Sequence, residues 1–65
     1  MTLRDLLNKN LEPEKVILNY TGCETEFESV DDLEVEAFEY GFVDEDVISY
    51  KYGRKNNIKT LIVNM

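Results

Sequence analysis

Residues 29–41 read SVDDLEVEAFEYG, and whether they coil or extend decides the fold. Two patterns compete in them. Leu33, Val35 and Ala37 alternate with Glu34 and Glu36, as in a half-buried strand. Val30, Leu33, Ala37 and Tyr40 fall instead on one face at helical spacing. The ends break the tie. The Ser29 hydroxyl can accept an orphan backbone N–H, and Asp31 and Asp32 put negative charge at the positive end of a helix. Gly41 tolerates the left-handed turn that stops one. The helix is therefore favoured over the strand.

Upstream, residues 24–28 alternate cleanly, with Thr25 and Phe27 inward and Glu24, Glu26 and Glu28 outward, which predicts a strand. Thr21-Gly22-Cys23 reads as a turn. Before it, residues 15–20 form a strand with Val16, Leu18 and Tyr20 on one face and Ile17 and Asn19 on the other, so the two runs make a hairpin. Residues 2–8 read as a short helix. Thr2 caps it, Asp5 completes a capping box, Leu3, Leu6 and Leu7 form its apolar stripe, and Asn8, Asn10 and Pro13 end it. Downstream of Gly41, residues 42–46 are a loop and residues 47–52 a strand with Ile48, Tyr50 and Tyr52 on one face. Residues 53–57 are a turn. Residues 58–65 are a last strand, with Leu61, Val63 and Met65 opposite Ile58, Thr60 and Ile62.

The order α-β-β-α-β-β predicts a single α+β domain over residues 1–65: an antiparallel four-stranded sheet with both helices on one face. The other face would carry Ile17, Ile58 and Ile62, an apolar patch suited to a homodimer, with an edge strand as a second route to association. At 65 residues the chain is short for a stable core without disulfides or metal, so a partner subunit would help it. Met1 at the start and a strand-like run at the end fit a complete reading frame.

The opening Leu3-Arg4-Asp5-Leu6-Leu7, the strand after Pro13-Glu14-Lys15, the hairpin, Val30-Asp31-Asp32-Leu33 and the closing hairpin together resemble small acidic proteins of unassigned function encoded by bacteriophages and integrated mobile elements. The resemblance covers most of the chain as a pattern. It implies a phage or mobile-element origin and carries over no catalytic residue.

Charge is the most uneven property of the chain. Residues 1–23 balance three acids against three bases, residues 24–46 hold eleven acids and no base, and residues 47–65 hold four bases and no acid. The net charge is −7. Such an acidic centre suits a basic protein partner, reached through Glu24, Glu26, Glu28, Asp31, Asp32, Glu36 and Glu39, with Phe38 or Phe42 as an apolar anchor. It could also imitate nucleic acid. Duplex DNA presents one charge per about 1.7 Å of axis, whereas alternate glutamates on a strand stand about 6.6 Å apart, so the helix would have to add its own carboxylates. The plainer alternative is a small structural or homo-oligomeric accessory protein whose acids serve solubility only. Crowding of so many carboxylates is expected to raise their pKa values on average.

Other classes lose ground on composition. With no His and one Cys, imidazole acid–base chemistry and thiolate or His metal sites are excluded, and no glycine-rich phosphate loop or nucleophile elbow is present. Neither Asp44-Glu45-Asp46 nor Asp31-Asp32 has the spacing of a calcium loop. No catalytic residue, cofactor or metal is expected, and the protein is not expected to be an enzyme. Cys23 lies among acids that disfavour a thiolate. The acidic centre repels phosphate, so direct nucleic-acid binding is disfavoured even with Tyr50 and Tyr52 beside Lys51, Arg54, Lys55 and Lys59. The opening has no signal-peptide core, and runs such as Leu61-Ile62-Val63 fall far short of the about 18 apolar residues of a membrane span. A lone cysteine suits a reducing compartment, so a cytoplasmic protein is expected, with no membrane partner.

Overall fold

The computed structural model describes residues 1–9 and 11–65; Asn10, one of the signals read as ending the first helix, lies outside the described residues. Six elements follow in the expected order: α1 (Leu3–Leu7), β1 (Lys15–Tyr20), β2 (Cys23–Phe27), α2 (Val30–Tyr40), β3 (Ser49–Lys55) and β4 (Ile58–Asn64).

Local signals set the helices. In α1, the Thr2 hydroxyl accepts from the Asp5 N–H at 3.2 Å and the Asp5 carboxylate accepts from the Thr2 N–H at 3.0 Å, a reciprocal box with Asp in the usual place of Glu. In α2, Ser29 Oγ accepts from the Asp32 N–H, and Gly41 ends the helix at φ 77°, while the Phe42 N–H reaches back to the Ala37 carbonyl. Residues 29–41 are therefore a helix with its caps, and the strand alternative fails. Of the face read from the sequence, Leu33 and Ala37 are buried and Val30 is half-buried, while Tyr40 is exposed.

Two-residue turns close both hairpins. Thr21 and Gly22 both have positive φ, as do Asn56 and Asn57, the geometry whose twist matches that of the flanking strands. Pairing the Asn56-Asn57 turn this way extends β3 to Lys55, past the turn expected at residues 53–57, and leaves Val47 and Ile48 outside the strand. Ile48 pairs only through its N–H, to the Asn64 carbonyl, and is exposed.

The sheet is mixed, not antiparallel throughout. Its order is β2-β1-β4-β3, with β1 and β4 parallel at the centre. The reason lies in α2. It takes up one reversal of the chain between the hairpins, so β3 restarts in the direction of β2 and β4 returns in the direction of β1. Local turns could fix only the two antiparallel pairs. The apolar runs Val16-Ile17-Leu18 and Leu61-Ile62-Val63 then fix the third, because the central positions are the ones most removed from water.

The core joins Leu3 and Leu6 of α1 and Leu33 and Ala37 of α2 to Val16, Leu18, Phe27, Leu61 and Val63 of the sheet. By register these sheet residues share one side. The loop between α2 and β3 is tied to the N-terminus: the Leu3 N–H donates to the Glu45 carbonyl at 3.0 Å, the Arg4 N–H to that of Val43 at 2.7 Å, and the Val47 N–H to that of Met1 at 2.8 Å. No described helix is long and apolar enough to cross a membrane.

Candidate functional site

Strand β2 lies at one edge of the sheet, and α2 follows it after a two-residue connection. Between them runs an open groove of about 420 Å³. Helical spacing selects what α2 contributes. Asp32, Val35, Glu36 and Glu39 stand at i, i+3, i+4 and i+7 and so form one stripe. From β2 and its end come Thr25, Glu26, Phe27 and Glu28. Five acidic residues thus line the groove with Thr25, Phe27 and Val35, and no lysine or arginine does, although Glu26 by register belongs to the Ile17 side of the sheet, beside Lys15. Val35 is 65% exposed, an apolar side chain left in water among acids.

Of the seven acids expected to act together, the fold brings five to this groove. Glu24 and Asp31 do not line it. Asp31 has another use in the first turn of α2, where negative charge opposes the helix dipole, a use it shares with Asp32. Glu26 is partly engaged, with a carboxylate oxygen 3.6 Å from Lys15 Nζ. Among the described residues, Glu28, Asp32, Glu36 and Glu39 have no ion-pair partner. The two aromatic anchors expected from the sequence lie elsewhere. Phe38 is 52% exposed beneath the Arg4 guanidinium, 5.2 Å from the ring centre, and Phe42 is half-buried against Tyr20. Val35 and Thr25 are the residues that sequence reasoning missed. The i+3 spacing of Val35 from Asp32 was the available signal, and it was masked by the strand-like alternation of Leu33, Val35 and Ala37.

Titration shifts mark the N-terminus, the end of β1 and the loop before β3. Hydrogen bonding to Arg4 at 2.8 Å holds the Asp44 carboxyl below its ordinary value. Backbone and side-chain hydrogen bonds from Thr2 do the same for Asp5. The Tyr20 hydroxyl donates to the Glu45 carboxylate, which pushes Tyr20 up. These contacts clamp the loop and the N-terminus. Among the described residues no three acidic or thiol side chains stand in metal-holding geometry.

The far edge of the sheet has the opposite sign. Tyr52, Gly53, Arg54 and Lys59 line a smaller hollow there, and the Lys59 ammonium lies 4.7 Å from the Tyr52 ring centre. The chain matches no family model, no curated protein and no solved structure.

Proposed function

We propose that this protein is a non-enzymatic interaction module that binds a basic segment of a partner protein in the groove between β2 and α2. The observation that carries the reading is the groove's composition: five acidic residues, four of them with no ion-pair partner among the described residues, no lysine or arginine in the lining, and an exposed Val35. Unpaired carboxylates facing a shared hollow repel one another, and a segment bearing Lys or Arg relieves that repulsion while its apolar residues cover Val35 and Phe27. Strand β2 supports the same reading, since as an edge strand it has one row of backbone groups the sheet does not pair. An extended segment can add to that row, with alternate side chains reaching across to Glu36 and Glu39. The arrangement takes both helices to lie on the Val16 and Leu18 side of the sheet, with no helix on the Ile17 and Ile62 side, where Ile17 and Thr60 are nonetheless buried.

A phage or mobile-element product that captures a basic host protein, including one that itself binds nucleic acid, fits this chemistry. So does a cytoplasmic setting. Direct nucleic-acid or membrane binding does not. Titration of a labelled peptide alternating arginine with leucine tests the proposal. Binding should be at least about tenfold weaker in Glu36→Lys/Glu39→Lys and should fall steeply with salt, because both effects follow from charge on the groove. Equal binding by wild type and variant at low salt would leave the acids as a solubilising surface.

A further inference from the structure

The second side of the sheet has a charge order that suits a second copy of this chain. Register places Glu26, Ile17, Ile62 and Lys51 in one row across β2, β1, β4 and β3. Glu24 adds to the acidic end, Lys55 to the basic end, and Lys15 stands beside the centre. None of the core residues shared with the helices belongs to this side. Two acids and three bases make it slightly positive, while the remaining twelve acids and four bases make the rest of the molecule strongly negative. Two copies therefore repel over most of their surfaces and can approach with least repulsion through this face.

We propose that the face forms a weak homodimer about a two-fold axis parallel to the strands. Such an axis reverses the strand order of the second copy. Glu26 of each copy then lies over Lys51 of the other, and Ile17 over Ile62, each contact made twice. Sheets packed face to face stand about 10 Å apart, within the combined reach of a glutamate and a lysine. A two-fold across the strands would instead put acid on acid at one edge and base on base at the other. Charge order thus selects one of the two possible axes. The apolar contribution is small: Ile17 is 6% exposed, Ile62 half-buried and Ile58 37% exposed. The face measures about 20 by 20 Å, or about 400 Å² per copy, half of what a standard stable complex buries. The dimer is transient and fills only at high concentration.

Sedimentation equilibrium up to millimolar concentration tests this on the wild type, Glu26→Lys, Lys51→Glu and the double variant. Each single reversal should weaken self-association about tenfold, and the double should recover to within about threefold of wild type. Net charge alone would act differently, because Glu26→Lys lowers the negative charge and Lys51→Glu raises it, so the singles would move in opposite directions. Glu26 borders the groove as well, but the groove test uses Glu36 and Glu39, and Lys51 lies outside the groove, so each proposal can fail alone. In unmodified protein, the Ile17 and Ile62 methyl resonances should shift with concentration while those of Leu33 stay fixed; this reading needs no variant to fold. A wild type that stays monomeric, singles that move oppositely, a folded double that does not recover, or methyls that do not shift would each overturn the proposal.

Discussion

The two hairpins solve one structural problem with opposite charge. Each closes through a two-residue turn with both φ angles positive, 49° and 84° at Thr21 and Gly22, 56° and 64° at Asn56 and Asn57. Each sets its more apolar strand at the centre of the sheet and its more charged strand at an edge. Yet β2 carries Glu24 and Glu26, whereas β3 carries Lys51, Arg54 and Lys55. The fold requires apolar residues at Val16, Leu18, Leu61 and Val63 and turn positions that accept a left-handed backbone. It does not require a sign of charge at either edge, since charge of either sign keeps an edge from pairing with its own kind. The crowding of acid around β2 and α2 exceeds what folding asks for, and that excess is the basis for reading the groove as functional.

The largest expected effect separates centre from edge. Leu61→Ala empties a fully buried position on β4 and should destabilise the protein by about 2–5 kcal/mol. Lys51→Ala on the neighbouring edge strand should change stability by no more than about 0.5 kcal/mol. Urea denaturation of both variants checks the division. Comparable losses would mean that the edges do more than cover the core.

A smaller effect compares the turns. Thr21 is a β-branched residue held at φ 49°, where asparagine is far more at ease. Thr21→Asn creates an Asn-Gly turn and should stabilise by about 0.5–1 kcal/mol, even after loss of the hydroxyl's bond to the Tyr20 carbonyl. Asn56→Thr imposes the reverse change on the basic hairpin and should destabilise by a similar amount. Thermal melts that leave both variants unchanged would break the equivalence of the two turns.

The smallest effect concerns pH. Asp5 and Asp44 titrate below their ordinary values in the folded protein, so their contribution to stability is present above the unfolded value of about 3.8 and is lost as pH falls through the depressed folded values. Melting temperature should therefore fall once the pH drops below about 4, with the fall blunted in Asp44→Asn. A fall that is the same in wild type and Asp44→Asn would show that the ion pair with Arg4 contributes nothing to acid stability.

Much of this arrangement can be read from the chain where the signal is local. Thr2 with Asp5, and Ser29 with Gly41, mark helix ends through bonds made within a few residues. The alternation in residues 15–20 and 24–28 fixes a hairpin for the same reason. What escaped is what depends on distant partners. The pairing of β1 with β4 shows in the sequence only as the unbroken runs Val16-Ile17-Leu18 and Leu61-Ile62-Val63, which mark central strands but not their relative direction. The full length of β3 depends on register with Ile58, not on the breaker residues Gly53 and Asn56. Of the site, the acids were visible as composition, but the choice of five from seven depended on the rotation of α2 against β2. Phe38 and Phe42 are anchor candidates because they stand near the acids in sequence, and the place of Phe38 under Arg4 could not be read from spacing.

The central claim is that the acids act as one groove and not as a diffuse surface. Amide chemical shifts of isotope-labelled protein, followed while the arginine–leucine peptide is added at moderate salt, test it most directly. The account predicts shifts concentrated at Thr25, Phe27, Val35, Glu36 and Glu39, with Asp44, Glu45, Asp46 and Glu12 unmoved. Shifts spread evenly over all acidic segments would contradict it, and the groove would then be no more than part of a solvated negative surface.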